Sequence, residues 1–440
     1  MFVAVVILTV SPHSLFNIYF AGFMIPNNRQ ADSSLVYIIF SIWTFILLCR
    51  PQDYLSFLEI LRPGFTFGLL TLLVFFFSAN KGEQISDSKQ FRLFRYLIIV
   101  MIIGIPFSYY RSASLKDVFD YASVAMMFFY LFYKLVNEID KLHNLMFAYC
   151  VGVAIYSVYV LKSGDFSGDR ITFGSMFDPN DIAFFIISFL TFNLIFLSKD
   201  NKTHTKFIAA INILIGLIVI LKTGSRGGLI ATISVIAYLM FVKTTTVKLS
   251  FTIKATALII AAIVALQFIE INSERYKTIL TLKNDYNVTG EEGRIAIWET
   301  GLKLMLSHPL TGVGMNRFSE GIGRDREERG LGSAKWQAPH NSIVQIGTET
   351  GIFGLILFCL MSSNVFKITG LVINKSRSEV LIKTSEMVRA GFIGHFISTM
   401  FLSQAYSVYW VFYLILSSVL NRLYNSELLI RKAPEPLVTD

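Results

Sequence analysis

Charge is scarce in this chain of 440 residues, of which only 16% are Asp, Glu, Lys or Arg. A soluble domain carries about a quarter, so a water-soluble fold around one large core does not suit the composition. Cysteine is scarcer still. Cys49, Cys150 and Cys359 all fall inside apolar runs, which argues against a disulfide framework and against a Cys/His metal cluster. The first residues lack the basic start and small-residue cleavage site of a signal peptide. No repeat of solenoid period is visible, nor a clear match between two halves such as inverted-repeat transporters show, nor a nucleic-acid recognition module. What the chain has in abundance is apolar side chain: 54% hydrophobic and 14% aromatic residues, with a mean hydropathy of +0.57. These values describe an all-α, polytopic membrane protein.

Apolar runs of about spanning length lie near 35–50, 62–78, 92–110, 118–136, 144–162, 181–198, 206–222, 227–242, 251–271, 342–370, 387–404 and 407–424. They predict about twelve transmembrane helices. A thirteenth apolar segment, 1–23, is interrupted by Ser11-Pro12-His13-Ser14. The expected organisation is three regions: transmembrane helices over 1–272 with an outer loop at 164–180, a large helix-containing periplasmic loop over 273–341, and C-terminal transmembrane helices with a cytoplasmic tail over 342–440. If the spans alternate, Lys134, Lys141, Lys199, Lys202, Lys206, Lys243, Lys248, Lys375, Arg377, Lys383, Arg422, Arg431 and Lys432 share one side, which the positive-inside rule makes cytoplasmic. The turn at Arg226 and the loops 164–180 and 273–340 are then outside. So are Arg50-Pro51-Gln52 and Leu61-Arg62-Pro63, which leaves the side of the N-terminus open. The net charge of +9 fits such loops. Arginines grouped in the central loop and at short breaks also suit an anionic ligand such as a phosphate, and no nucleic-acid partner is expected.

The candidate chemistry centres on Glu270 to Gly354, the only long polar stretch, with many Gly and Arg residues (Gly312, Gly314, Gly321, Gly323, Arg324, Arg326, Arg329, Gly330, Gly332). Before it stands Lys222-Thr223-Gly224-Ser225-Arg226-Gly227-Gly228. A short turn explains the glycines but not the arginine. The five-donor head of Arg226 can grip a phosphate or snorkel to lipid headgroups. Thr289-Gly290-Glu291-Glu292 reads as a capping box before a helix from about Gly293 to Leu306. Its stripe of Ile295, Trp298, Leu302 and Met305 is expected on the membrane surface or the bundle. Arg294 shares another face with Gly301, which leaves room beside the guanidinium. It is either a second phosphate ligand or the ion-pair partner of Glu291. Pro339-His340-Asn341-Ser342 opens the next helix, on which Asn341, Gln345, Thr348 and Glu349 form a polar stripe facing protein or a water-filled cavity. His340, near neutral pKa unless perturbed, can take a proton from a sugar hydroxyl or be a structural hydrogen-bonding residue. In the outer loop stand Arg170, Thr172, Gly174, Asp178, Pro179, Asn180 and Asp181, with Asp178 or Asn180 expected to cap a helix. Asn201-Lys202-Thr203 and Asn287-Val288-Thr289 match the glycosylation sequon, a short pattern that arises by chance.

Taken together, Thr-Gly-Ser-Arg-Gly-Gly at 223–228, Gly-Arg-x3-Trp at 293–298, His-Pro-Leu-Thr-Gly-Val-Gly at 308–314 and Pro-His-Asn-Ser-x8-Gly-x2-Gly at 339–354 resemble the bacterial O-antigen ligase and O-antigen polymerase family. Asp-Pro-Asn at 178–180 resembles it too. The likeness covers roughly 165–365. It implies an inverting, metal-independent glycosyltransferase with a fold of the lipid-donor (type C) kind, needing no cofactor, in the bacterial inner membrane with its site facing the periplasm. The implied donor is a glycan on undecaprenyl diphosphate, and the acceptor is lipid A-core for a ligase or a lipid-linked glycan for a polymerase. Arg226 and Arg294 match the family's arginines and would hold the diphosphate, while His340 would orient or deprotonate the acceptor hydroxyl. Arg170, Asn180 and Asn341 are further expected substrate-binding residues. From another class, a transporter or flippase would line a path with Arg226, Arg294 and Glu349, but would place them near the membrane midplane. A cell-wall glycan polymerase is a third reading, with none of its motifs in the chain.

Overall fold

The computed structural model describes residues 31–77, 88–167, 170–174, 178–241, 293–330 and 337–432. The apolar segments 1–23 and 251–271, the capping box at Thr289, the Asn287 sequon and Glu291 lie outside these residues. Within them, every apolar run falls on a helix. In chain order these are α1 (Ala31–Cys49), α2 (Pro63–Phe77), α3 (Lys89–Gly104), α4 (Arg111–Leu135), α5 (Ile139–Ser163), α6 (Pro179–Leu190), the single turn α7 (Asn193–Phe196), α8 (Thr203–Lys222) and α9 (Arg226–Phe241). After them come α10 (Arg294–Ser307), α11 (Phe318–Glu328), α12 (Ser342–Lys375), α13 (Glu379–Thr399) and α14 (Val408–Lys432). A short hairpin of β1 (Asp165–Ser167) and β2 (Arg170–Thr172), pairing Phe166 with Ile171, follows α5.

Among the described residues six segments are long and apolar enough to cross a membrane: Lys89–Phe107, Arg111–Leu135, Ile139–Ser163, Pro179–Phe196, Thr203–Lys222 and Ser342–Lys375. Three more, Leu35–Cys49, Pro63–Phe77 and Arg226–Phe241, are apolar but shorter. The remaining long helices sit inside the bundle. From Tyr409 to Leu420 every side chain of α14 is buried, and it stacks Phe412 and Tyr413 among Phe128, Phe132, Phe189 and Phe192. A helix surrounded by protein can carry polar groups if each finds a partner. Ser418 bonds to Ser88, Ser417 accepts from Gln90, and the Trp410 indole donates to Ser362.

The helix α13 starts eight residues before the expected 387, because its first turns carry Glu379, Lys383 and Glu386, charges that hide a helix from hydropathy. Lys383 pairs with Glu379 at 2.8 Å and bonds to Ser198, while Thr384 meets His143 at 2.8 Å. These contacts bring the basic turns near 141, 199–206 and 375–383 to one end of the bundle, as alternation of the spans predicts. Arg422, expected as a loop cation at this end, is instead buried. It stacks on Tyr133 and donates to the carbonyls of Tyr133 and Val136 that close α4.

Candidate functional site

At the opposite end, three helices begin side by side around the connection 400–407 between α13 and α14. Asp178 caps α6, accepting from Asn180 N at 2.7 Å and Asp181 N at 3.0 Å. Asn341 caps α12, accepting from Ile343 N and Val344 N. Arg226 opens α9. The connection ties them together. Gln404 donates to Asp181 at 2.9 Å and through its backbone to Ser342 Oγ at 3.0 Å, Ser403 Oγ accepts from His340 N at 3.0 Å, and Gln345 accepts from Ala405 N. Motif reading missed 400–407, which has no charged residue. Its one signal is small polar residues, Ser403, Gln404 and Ser407, between two apolar runs.

Thr223 and Ser225 brace the turn before α9. Thr223 Oγ1 donates to Ile220 O and accepts from Ser225 N, while Ser225 Oγ accepts from Gly228 N and donates to Asn180 Oδ1 at 2.9 Å. Arg170 bridges the same parts, donating to Thr223 O at 3.1 Å and Asn180 Oδ1 at 2.9 Å. A Cβ on Gly227 would stand 2.9 Å from the Phe401 side chain, so this glycine permits close packing on the connection. Arg170 and Asn180 thus hold the turn that carries Arg226.

Arg294 likewise opens α10, whose N-cap is Gly293. One turn on, Trp298 Nε1 donates to Pro339 O at 2.8 Å. This explains the Gly-Arg-x3-Trp spacing, since residues four apart share a helix face. The face that α10 buries is Ile297, Thr300, Gly301 and Leu304, whereas Ile295 and Leu302 of the expected stripe are exposed. The space at Gly301 is taken by Val344 and Phe318 and by a hydrogen bond from Thr348 to Gly301 O, so it does not serve the Arg294 guanidinium. His340 has left-handed backbone, φ +44°, a conformation that costs a non-glycine residue on the order of 1 kcal/mol. Its imidazole is held below the usual histidine range, first by burial and then by the Arg294 charge, with Asp178 acting in the opposite direction. The charges of Arg294 and Asp178 thus act on His340 in opposite directions.

Both arginines occupy the first position of a helix, and neither α9 nor α10 has an acidic residue in its first turn. The helix dipole disfavours a cation there by about 0.3–1 kcal/mol and favours an anion by as much. Two arginines with helix N-termini, on half-buried side chains, make an end of the bundle suited to a multiply charged anion.

The two glycine-rich motifs form a joint. At Gly351, φ +69°, α12 breaks. The break releases two carbonyls and one N–H, and the 308–314 loop takes them all: Val313 N donates to Thr348 O, Gly314 N to Glu349 O, and Ile352 N to Pro309 O at 2.8 Å. The Glu349 carboxylate adds bonds from Asn316 N at 3.0 Å and Phe318 N at 3.2 Å. The expected polar stripe thus faces protein. Several loop arginines also prove structural: Arg317 is clamped by Asp117 and Glu320, Arg329 pairs with Asp325, and Arg324 lies 4.2 Å from the Tyr109 ring centre.

The fold is that of a helical membrane protein that gathers arginines and helix N-termini at one end of its bundle. Residues 211–359 match the family model described as O-antigen ligase, a stretch that contains Arg226, Arg294, His340 and the Gly351 joint. The match covers about a third of the chain, and over this stretch the chain is similar to O-antigen ligases. No curated protein matches the chain.

Proposed function

We propose that this protein is an inverting, metal-independent glycosyltransferase that moves a glycan from undecaprenyl diphosphate to an acceptor hydroxyl, with lipid A-core as the acceptor. The observation that carries the reading is that the segments bearing Arg226, Arg294 and His340 meet at one end of the bundle: Gly227 packs on Phe401, Ser403 Oγ accepts from His340 N, and Trp298, one turn after Arg294, donates to Pro339 O. Arg226 and Arg294 bind the two phosphates, and Arg170, Asn180 and Asn341 keep the surrounding helix starts in place. His340 accepts the proton of the acceptor hydroxyl as its oxygen attacks the anomeric carbon from the face opposite the diphosphate. The bond from that carbon to the diphosphate oxygen breaks, and its electron pair leaves on the diphosphate, whose growing charge the arginines stabilise. The basic turns gathered at the far end support a site on the periplasmic side of the inner membrane, by the positive-inside rule.

The test is purified protein in lipid nanodiscs, given a lipid-diphosphate-linked glycan with EDTA present. Glycan on added lipid A-core supports the ligase. Longer lipid-linked chains without that acceptor make the protein a polymerase of the same chemistry, and donor binding without product overturns the transferase.

A further inference from the structure

Beside the anion end lies a second polar region that the mechanism does not use. It is built where α1 stops short. Cys49 reaches only the level of Gly152, so that a Cβ on Gly152 would meet the Cys49 side chain, while α5 runs on to Ser163. The chain turns there at Arg50, which has left-handed backbone, φ +49°, and donates to Asp53 at 2.6 and 3.2 Å. Tyr54 stacks on Tyr159 with ring centres 5.0 Å apart and meets Tyr156 edge-on at 6.1 Å; both Tyr54 and Tyr159 are half-buried. Tyr156 and Tyr409 pack on the same Phe185 ring. Tyr409 is 5% exposed, and its hydroxyl has no hydrogen-bond partner, although Arg50, Asp53 and Asp181 all lie within its electrostatic reach. A buried hydroxyl without a partner costs about 1–3 kcal/mol and asks for one from a bound molecule or water.

We infer that Arg50, Asp53, Tyr54, Tyr159, Asp181 and Tyr409 form a subsite for an uncharged sugar ring of the acceptor glycan. The inference rests on the proposed transfer reaction. The groups suit such a ring: two carboxylates accept hydroxyl protons, Arg50 and Tyr409 donate, and stacked aromatic faces cover the apolar side of a pyranose. They do not suit the donor's diphosphate. Arg50 is balanced by Asp53, and Asp181 and Asp178 add negative charge, so an anion is repelled here and drawn to Arg226 and Arg294. His340 has Arg294 as one electrostatic neighbour and Asp178 as the other. The base thus stands at the border between the two regions, where an acceptor hydroxyl must meet the anomeric carbon. Gln404, bonded to Asp181 and following the Ser403 that holds His340, joins them.

The experiment measures binding of delipidated, dephosphorylated core oligosaccharide to the protein in nanodiscs, beside transfer to lipid A-core. Wild type and Arg226→Ala should bind the oligosaccharide alike, since it carries no phosphate. Tyr409→Phe should bind it about three- to tenfold more weakly, the worth of one hydrogen bond, with donor affinity unchanged. Its melting temperature should not fall, because the lost hydroxyl bonds to nothing in the empty protein, whereas a structural role would lower it. Asp181→Asn, which can still accept from Gln404, should weaken binding in the same way. Equal binding by wild type and Tyr409→Phe, or none by wild type, would overturn the subsite. If oligosaccharide binding behaves as stated but no glycan is transferred, the subsite stands and the transferase reading falls.

Discussion

The indole nitrogen of Trp298 donates to the carbonyl oxygen of Pro339 across 2.8 Å. It joins the helix that starts with Arg294 to the residue before His340, so the separation of the two groups is fixed by one hydrogen bond between segments forty-one residues apart in sequence. Trp298→Phe keeps the bulk and removes the donor. Stability should fall by about 1 kcal/mol, read as a small drop in melting temperature in nanodiscs. Turnover should fall at least tenfold, because sub-ångström misplacement of catalytic groups is costly.

Arg226→Ala and Arg294→Ala should each lower transfer by about a hundredfold or more, the range for loss of a charge-stabilising donor, while the protein still inserts and folds. Arg→Lys at either position should recover little, because the planar two-pronged contact with phosphate is lost. Normal transfer by both alanine variants would remove the diphosphate clamp.

The pH profile carries a sign. A base works when neutral, and burial with the Arg294 charge lowers the His340 pKa. The acid limb of kcat/KM, which reports the free enzyme, should therefore lie below the ordinary histidine value of about 6.5. Asp178 pulls the other way, so Asp178→Asn, which keeps a capping side chain, should move that limb to still lower pH. Movement upward would show that Asp178 does not act on this base.

Gly351→Ala tests the joint. The residue has φ +69°, and a Cβ there would lie 2.6 Å from Pro309 O. The conformational cost of about 1 kcal/mol is then joined by a clash with backbone, so the loss of stability should exceed that figure and transfer should collapse. Gly330 has φ +67° with open space around it. Gly330→Ala should show only the conformational part, with transfer unimpaired, when both melting temperatures are measured together.

Positions of helices were legible wherever apolar residues ran unbroken, because burial in lipid or protein demands them. The start of α13 was hidden because Glu379, Lys383 and Glu386 find partners at the end of the bundle rather than in water. Arg226, Arg294 and His340 stood out as polar residues at apolar borders. Their supports were less legible: Gln404 was missed, and that Asn180 and Ser225 bond to each other depends on contact between segments distant in sequence, which no local pattern encodes. The same holds for the second glycine motif. Its spacing was visible in Pro-His-Asn-Ser-x8-Gly, but that Gly351 frees the carbonyls taken by Val313 and Gly314 depends on a loop nearly forty residues earlier. Among the dense loop arginines, Arg329 misled for the opposite reason, since it answers to Asp325 only four residues before it.

The exchange of hydrogen bonds at Gly351 also bears on which changes of length the chain can accept. Between Ser307 and Phe318 each of Pro309, Val313, Gly314 and Asn316 is matched to a particular backbone or carboxylate group of α12. Removing or adding one residue there would slide the loop out of step and strand two carbonyls where water is excluded. Insertions and deletions should accordingly be barred from 308–316 and admitted at the far end of α11, where Glu328, Arg329 and Gly330 are exposed and the backbone is not committed to another segment.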